Sequence, residues 1–329
     1  MYNFCTLFNT KYLSRGLALY YALEKVCHDF HIYIFAFDDQ TYEILNKLKL
    51  IHATIISLNQ LEDEELLRVK PTRTIAEYCW TTTPSTIYYV MQKFKVECCT
   101  YVDADVYFYL SPQIIFDEFG DNSILITEHR YSPEYIKEEK LSGKYCVQFI
   151  TFRNDKYGLE ALTWWKEQCI IWCYNRVEDG KFGDQMYLND WTTRFKNVHV
   201  MQHPGGGLAG WNISQYNFFK DKEKFYGIEK RTRNKFDVVF YHFHYLKYYT
   251  NGKVQLGPRI IPESAKEYFY KPYLKELDEI EHAVVKINSQ IDPHGIEKQI
   301  YYWKTPLSYI KRKLVGTHNV YKLKRFLNQ

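Results

Sequence analysis

Apolar residues in the first third of the chain form short runs that alternate with helical patterns. Runs rich in aromatic and β-branched residues predict strands, which we place at 2–8, 31–37, 53–58 and 98–105. Apolar residues spaced three and four apart predict helices between these strands, over 14–27, 41–50, 59–68 and 85–95. The alternation predicts an α/β fold in which a parallel sheet is covered by helices on both faces.

The pattern continues and then loosens along the rest of the chain. Further strands are predicted at 123–129 and 145–152, followed by a Trp-rich helix over 159–175 and a late strand over 238–246. We place a boundary between 257 and 275, where the pattern becomes helical. The predicted organisation is therefore a main domain over 1–257 and a helical, basic C-terminal extension over 258–329.

Composition places the chain among soluble globular proteins. It has 329 residues, of which 46% are hydrophobic and 25% charged, and its 31 Tyr, 21 Phe and 7 Trp exclude long disorder. No uncharged apolar run is long enough for a transmembrane helix, and the N-terminus lacks the pattern of a secretory signal. We therefore expect a cytoplasmic protein whose eight cysteines are reduced.

Positive charge is concentrated at the C-terminus. The segment 298–329 contains eight Lys or Arg and no Asp or Glu. Its apolar residues form one helical stripe, made of Ile300, Trp303, Leu307, Ile310 and Leu314. An apolar stripe with basic flanks predicts contact with an anionic membrane surface, while the alternative is that the stripe packs on the main domain. Nucleic acid is not expected, because no recognisable binding motif accompanies the basic tail.

Two carboxylates follow the fourth predicted strand. The strand runs into Asp103-Ala104-Asp105, and residues two apart at a strand end point to the same side. In alternating α/β sheets, ligands bind outside the C-terminal ends of the strands. Paired hard oxygen ligands at this place suit Mg²⁺ or Mn²⁺ and, through the metal, a diphosphate. The alternative is a solvated Asp-x-Asp turn.

A histidine pair lies on the late predicted strand. His242 and His244 are also two residues apart, and Lys247 follows them. An imidazole can complete a carboxylate metal site, and a Lys can neutralise phosphate. The alternative is that one of the two histidines is a hydrogen-bonded core residue.

Two further segments are candidates for ligand contact. Four glycines, Gly206 among them, fall within six residues of the loop HPGGGLAGWN, where Trp211 could stack on a sugar or base. Asp184 and Gln185 begin a short helical pattern, where the carboxylate either caps the helix or faces a cleft. No GxxxxGK[ST], GxGxxG or GxSxG occurs, which removes the main support for P-loop, dinucleotide-binding and serine-hydrolase functions.

Together these segments resemble the GT-A fold glycosyltransferases, and most closely the retaining, family-8-like group. The resemblance covers residues 2–250: FCTLFNTKYLSRGLALYYAL is similar to the opening strand, nucleotide loop and first helix, YVDADVYFY to the DxD strand, GDQMYLND to the Asp-Gln segment, and HFHYLK to the late metal-binding segment. It implies a GT-A catalytic domain over 1–257, with the extension after it.

The resemblance also implies a ligand and a set of roles. It implies a nucleotide-sugar donor, usually a UDP-sugar, with Mn²⁺ bridging Asp103, Asp105 and His242 to the diphosphate. The acceptor is expected to be a saccharide or a lipid-linked glycan, as in polysaccharide biosynthesis. Further residues are expected near the donor, by the same resemblance or by position: Asp184 and Gln185 at the reacting sugar, Lys247 at the phosphate, Gln148, Gly206 and His244 beside them, and Tyr12, Arg15 and Asp39 in the nucleotide pocket, with Arg73 and Glu77 as further candidates.

The chain departs from the group in two motifs. His242 is followed by Phe-His-Tyr-Leu-Lys, without the usual Gly and Pro-Trp, so His244 is an alternative metal ligand. Val147-Gln148-Phe149 stands where the group often has Asn-x-Gly, and Gln148 is the candidate substitute. We therefore expect a divergent, bacterial-type branch. Two other functions stay open, a sugar-phosphate nucleotidyltransferase and a non-catalytic nucleotide-sugar-binding protein.

Overall fold

The computed structural model describes residues 1–300 and 305–328. Its strands in chain order are β1 (Tyr2–Phe8), β2 (Phe30–Ala36), β3 (Ala53–Ser57), β4 (Cys98–Val102), β5 (Val106–Phe108), β6 (Ile124–Glu128), β7 (Tyr145–Arg153), β8 (Val198–Val200), β9 (Leu208–Ala209), β10 (Tyr216–Asp221), β11 (Lys224–Glu229), β12 (Lys235–Asp237), β13 (Phe240–His242), β14 (Lys247–Tyr249), β15 (Lys253–Gln255) and β16 (Val320–Lys322).

Helices follow most of the sheet strands, as the sequence pattern predicts. They are α1 (Leu13–Val26), α2 (Asp39–Leu48), α3 (Leu58–Leu61), α4 (Glu64–Val69), α5 (Ile75–Phe94), α6 (Gln113–Phe119), α7 (Glu139–Ser142), α8 (Lys156–Ile171), α9 (Trp191–Arg194), α10 (Glu263–Ala265), α11 (Lys271–Ile287), α12 (Thr305–Leu314) and α13 (Leu323–Leu327). Short 3₁₀ turns precede several of them, including Thr10–Tyr12 and Met186–Asp190.

The central sheet has seven strands in the order β3-β2-β1-β4-β7-β6-β8. Neighbouring pairs are parallel, except that β7 runs antiparallel to both β4 and β6. The predicted α/β sheet with helices on both faces is confirmed, and the departure from a purely parallel sheet is this one strand. β7 can run antiparallel because the segment 129–144 leads directly from β6 to the neighbouring strand position, between β6 and β4, without a long crossover helix.

The alternation within the strands explains the two covered faces. In β2, Ile32 and Ile34 point to the core under α1, α2 and α11, while Tyr33 and Phe35 point to the core under α5 and α8. Both sets are buried, so every residue of the strand is apolar or aromatic except His31 at its edge. Strands buried on both faces give continuous apolar runs of this kind.

A small second sheet lies beside the end of β4. Its strands are in the order β5-β13-β9, and β13 is antiparallel to β5 with His242 opposite Val106. The late strand is shorter than predicted, because the backbone turns after His242: the Phe243 N–H donates to the Asp105 carbonyl at 2.9 Å, and Tyr245 has a positive φ of 67°. This turn is what brings both histidines next to the aspartates.

The C-terminal extension packs on the main domain in two places. Leu274 and Leu277 of α11 belong to the same core as α1, and β16 pairs antiparallel with β15. The extension therefore contains a strand as well as the predicted helices, and Phe326 of α13 is buried. Within the described part of the chain, no helix combines the length and apolar character needed to cross a membrane. The positions Trp303 and Lys304 lie outside the described residues.

Candidate active site

The two aspartates lie in the tight turn between β4 and β5. The Asp103 N–H donates to the Gln148 carbonyl at 3.1 Å, and the Val106 N–H donates to the Asp103 carbonyl at 3.1 Å. The first bond ties the turn to β7 and the second closes it. Both carboxylates are thus held at the C-terminal end of a parallel strand, where such sheets bind ligands.

The strand β13 brings the histidines to these carboxylates. The Nε2 atom of His242 lies 2.9 Å from Oδ1 of Asp105 and 3.7 Å from Oδ2 of Asp103. One ligand atom each from Asp105, His242 and His244 lie within 4.8 Å of one another. Oxygen and imidazole donors in this arrangement fit a divalent ion such as Mn²⁺, which accepts both ligand types more readily than Mg²⁺ does.

Burial and mutual charge set the protonation of this cluster. Burial raises the pKa of Asp103 to about 6, although the charge on His242 opposes the shift. Burial also opposes ionisation of Asp105, but the interaction with His242 outweighs it and lowers the pKa of Asp105 to about 2. The pKa of His242 is raised, because the attraction of Asp105 outweighs the burial that disfavours its charge. The metal-free cluster therefore holds an Asp105–His242 ion pair, and a metal ion bound there would replace the histidine proton.

Gln148 and Trp211 contact the histidine rings and fix their orientation. Nδ1 of the protonated His242 donates to Oε1 of Gln148 at 2.9 Å, which leaves Nε2 facing Asp105. The Trp211 ring lies edge-on to the rings of His242 and His244, with both centroid distances 5.4 Å. Partners that bond the second ring nitrogen of a ligand histidine fix its tautomer and orientation. Gln148 was expected to contact the donor, but it is fully buried, does not line the cavity and contacts His242 instead.

Replacing Gln148 by leucine is expected to weaken Mn²⁺ binding by roughly 10- to 100-fold, because the His242 ring loses the partner that orients it. Isothermal titration of the protein with Mn²⁺ measures this change. Gln92→Leu, at an exposed position of α5, is the matched control. Equal Mn²⁺ affinity of the Gln148→Leu variant and the wild type would show that the contact does not orient a ligand.

A cavity of about 570 Å³ opens above the cluster. The ends of β1 and β4, the start of α5, the segment before the 3₁₀ turn at 186 and the turn after β13 form its walls. The polar and aromatic residues that line it include Lys11, Tyr12, Trp80, Tyr101, Asp103, Asp105, His129, Tyr131, Asp184, Gln185, Trp211, His242, His244, Tyr245 and Arg259. The volume and the mixed lining are typical of a site for a small organic ligand.

Asp184 and Gln185 lie in the cavity wall. The Trp165 indole N–H donates to the Asp184 carbonyl at 2.9 Å, and the Gln185 amide donates to the Ser142 carbonyl. Burial, followed by the nearby charge of Asp103, raises the pKa of Asp184 to about 8. At neutral pH this carboxyl is mainly protonated in the metal-free protein, so it can donate a hydrogen bond into the cavity.

Of the three residues predicted for the nucleotide pocket, the structure brings only Tyr12 to the cavity. Arg15 is buried, and its guanidinium donates to the backbone carbonyls of His294 at 2.9 Å and Leu246 at 3.0 Å. Asp39 is exposed at the start of α2. Its neighbour Asp38 instead accepts from the Thr10 N–H at 2.8 Å and so fixes the loop after β1. The sequence could not distinguish Asp38 from Asp39, because either can begin a helix.

Other predicted residues lie away from the cavity lining. Lys247 is exposed and forms an ion pair with Glu297 at 2.8 Å. The Gly206 carbonyl accepts from the Arg130 guanidinium, and a Cβ at Gly206 would collide with the Met201 side chain at 2.4 Å, so its lack of a side chain serves packing.

Arg73 and Glu77 contact the segment that follows α8. Arg73 lies over the Tyr174 ring at 3.8 Å, and Glu77 accepts from the Asn175 N–H at 2.8 Å. Asn175 itself lines the cavity. These two side chains therefore support the cavity wall from outside.

Several residues that line the cavity were not predicted from the sequence. His129 and Tyr131 follow β6, their rings stack at 4.7 Å, and burial lowers the pKa of His129 to about 3. Trp80 and Arg259 reach the cavity from α5 and from the segment after β15. None of the four belongs to a short motif, and only their position after strands could have indicated His129 and Tyr131.

Two relatives from Bacillus subtilis (strain 168) are similar in sequence over most of the chain. The uncharacterized protein YfnD is 31% identical over 291 residues, which cover 86% of this chain and 92% of YfnD. The uncharacterized protein YfnF is 35% identical over 248 residues, which cover 73% of this chain and 80% of YfnF. No family model matches the chain.

Solved glycosyltransferases are similar in structure. The galactosyltransferase LgtC, solved with donor and acceptor sugar analogues, matches 84% of this chain and 95% of its own with a TM-score of 0.52 and 10% identity. The bifunctional glycosyltransferase WbbM matches 87% of this chain and 51% of its own with a TM-score of 0.50 and 10% identity. At these identities the similarity shows the fold, which is the GT-A fold that the sequence predicted.

Proposed function

We propose that this chain, which belongs to the family of Bacillus subtilis YfnD and YfnF, is a metal-dependent glycosyltransferase. It moves a hexosyl group from a nucleotide sugar to a saccharide or lipid-linked glycan, with retention of configuration. The proposed donor is a UDP-sugar. The observation that carries the proposal is the cluster of Asp103, Asp105, His242 and His244 on the floor of the cavity, at the ligand-binding end of a GT-A sheet.

The cluster provides the ligands for a divalent ion. Asp105 and His242 contact each other directly, and Asp103 is the next nearest carboxylate. Burial, together with the charge on His242, lowers the pKa of His244 to about 3, so His244 is a neutral ligand at pH 7. We assign the ion to Asp103, Asp105 and His242, with His244 as a further ligand. A bound Mn²⁺ supplies Lewis-acid stabilisation of the charge that develops on the departing diphosphate.

The residues around the cluster orient the donor. Tyr12 is the last residue of the 3₁₀ turn after β1. Its ring lines the cavity, with the Arg15 guanidinium carbon 4.7 Å from the ring centre, and offers a stacking surface for the nucleotide. Asp184 and Gln185 face the cavity at the wall next to Asp103, where the sugar would lie. Retention of configuration follows from the resemblance to the retaining, family-8-like group, and Asp184 is the candidate base for the inverting alternative.

Product analysis tests the proposal against its nearest alternative. The protein is incubated with Mn²⁺ and a panel of nucleotide sugars, and the released nucleotide and sugar are identified by chromatography. A glycosyltransferase slowly hydrolyses its donor to a nucleoside diphosphate and a free sugar. Formation of a nucleotide sugar from a nucleoside triphosphate and a sugar phosphate would support a nucleotidyltransferase, and binding of a donor without any turnover would support a non-catalytic binding protein.

The exposed face of α12 supports membrane contact of the extension. Leu307 is 69% exposed and Leu314 82% exposed, so these residues of the apolar stripe do not pack on the main domain. Lys311, Arg312 and Lys313 lie on the same helix. An exposed apolar stripe beside basic residues fits an anionic leaflet, and this surface would bring the enzyme to a lipid-linked acceptor.

Replacing Lys311, Arg312 and Lys313 together by glutamine is expected to weaken binding to phosphatidylserine vesicles by about 100-fold, at about 1 kcal/mol for each basic residue. Co-sedimentation at low salt measures the binding. Lys220, Lys222 and Lys224 are exposed in and between β10 and β11, and their joint replacement by glutamine gives a control with the same charge change. Equal vesicle binding by the two triple variants, or no binding by the wild type, would contradict membrane contact through α12.

A further inference from the structure

The cavity contains a cation that no motif predicted. Among the Lys and Arg residues that the structure describes, Lys11 and Arg259 line the cavity. Lys11 is exposed at its rim, whereas the Arg259 side chain is only 14% exposed. Lys247, which the sequence comparison placed at the phosphate, is instead paired with Glu297 on the surface. Lys247 therefore does not line the cavity in which a donor phosphate would lie.

The backbone that carries Arg259 is fixed from two sides. The amide of the buried Asn319, just before β16, donates to the Arg259 carbonyl at 2.6 Å. On the other side, the Ile260 N–H donates to the Tyr135 hydroxyl at 2.8 Å. This segment after β15, which lacks regular structure, is thus held by Asn319 beside β16 and by Tyr135 of the 3₁₀ turn Pro133–Glu138. Such double anchoring places the arginine reproducibly.

The guanidinium of Arg259 has unused hydrogen-bonding capacity. One terminal nitrogen forms an ion pair with Glu138. The Nε atom is buried and has no hydrogen-bond partner among the described residues. A buried N–H without a partner is costly, so a phosphate oxygen that reached this nitrogen would remove that cost.

The Tyr245 ring lies between Arg259 and His244 of the candidate metal cluster. Its guanidinium carbon lies 5.7 Å from the centre of the Tyr245 ring. The Tyr245 ring in turn lies edge-on to the His244 ring, with the centroids 4.0 Å apart. A diphosphate bound to a metal ion at Asp105 and the histidines would therefore have Arg259 on its side of the cavity.

We propose that Arg259 binds the diphosphate of the donor and stabilises it as the leaving group. This assignment rests on the proposed glycosyltransferase function. A divalent ion is neutralised by Asp103 and Asp105, so the charge of the diphosphate needs a further cation close by. A guanidinium carries five N–H groups and meets a phosphate with two parallel N–H bonds, and the ion pair with Glu138 uses only one terminal nitrogen of Arg259.

The test is isothermal titration with two probes, UDP and inorganic pyrophosphate, both in the presence of Mn²⁺. Pyrophosphate reports the phosphate site without depending on the base. Arg259→Gln is expected to weaken both probes by roughly 10- to 100-fold, as for a lost charged hydrogen bond. Arg259→Lys keeps the charge but not the planar pair of N–H donors, and its affinity for both probes is expected to fall by roughly 3- to 10-fold. Arg194→Gln, which breaks the exposed ion pair with Asp190, is the matched control and is expected to bind as the wild type does.

The outcomes separate this assignment from the function on which it rests. Arg259→Gln that folds and binds both probes like the wild type would overturn the role of Arg259 and leave the glycosyltransferase proposal standing. A loss confined to Lys247→Gln would also overturn it, in favour of the surface lysine. A wild type that binds neither probe with Mn²⁺ present would overturn both proposals. If thermal melting shows that Arg259→Gln is unfolded, the Arg259→Lys variant decides by the same criterion.

Discussion

Asp105→Asn is expected to reduce sugar transfer by at least about 100-fold, which is the upper range for residues that only orient a metal ligand. The substitution keeps the shape of the side chain and removes its charge. Asp105 has the lowest pKa of the cluster, about 2, and its carboxylate lies 2.9 Å from His242. Loss of this charge removes a metal ligand and the partner of a buried imidazolium together.

Activity of Asp105→Asn is measured with saturating Mn²⁺ and again over a Mn²⁺ titration. Asp121→Asn, at an exposed position after α6, is the control with the same chemical change. Thermal melting confirms that the variant is folded. Turnover of Asp105→Asn close to that of the wild type would mean that the aspartate pair is a solvated turn and not a metal site.

Asp184→Asn is expected to have opposite effects on stability and activity. The folded-state pKa of Asp184 is about 8, because burial disfavours its charge, whereas an unfolded Asp titrates near 3.9. At pH 7 the unfolded chain carries an ionised Asp184, so folding must bring a proton to it. Asparagine avoids this cost, and we expect it to raise the free energy of unfolding by about 2–4 kcal/mol at pH 7.

The sign of the pH dependence follows from the same shift. A carboxyl whose pKa is raised on folding favours the folded state less as the pH rises from about 4 to about 8. The gain from Asp184→Asn is therefore expected to be absent below pH 4, to grow through this range and to level off above it. Urea unfolding at several pH values measures the gain, again with Asp121→Asn as the control.

Activity of the Asp184→Asn variant is expected to fall, since the side chain lies in the cavity wall where the sugar would bind. A residue that lowers stability while supporting activity is typical of a functional site. Equal stability of wild type and variant at pH 7 would show that Asp184 is ionised and solvated. Increased stability with undiminished activity would remove Asp184 from the site.

Local periodicity explains why much of the fold was predictable. Strand β2 alternates its side chains between two cores, and α2 has helical spacing of its apolar residues, so both elements can be predicted from a few adjacent residues. The aspartate pair was recognisable for the same reason: Asp103 and Asp105 follow a buried strand directly. The antiparallel direction of β7 was not predictable, because it depends on how a loop returns to the sheet.

The parts of the site that depend on distant contacts could not be predicted. Arg259 is placed by Asn319 and Tyr135, which are 60 and 125 residues away from the backbone groups they bind. Lys247 occupies the right place in a motif, but Glu297 pairs with it on the surface. Arg15 lies in the opening loop region and yet serves backbone carbonyls near the extension. Only the tertiary fold distinguishes these roles.

The most direct test of the account is the metal dependence of donor turnover by the wild-type protein. The protein is stripped with a chelator, dialysed, and assayed for nucleoside diphosphate release from its preferred nucleotide sugar before and after Mn²⁺ is added back. We expect release to be lost with the chelator and restored by Mn²⁺ at about one ion per chain. Release that continues unchanged in the metal-free protein would contradict a metal centre formed by Asp103, Asp105 and His242.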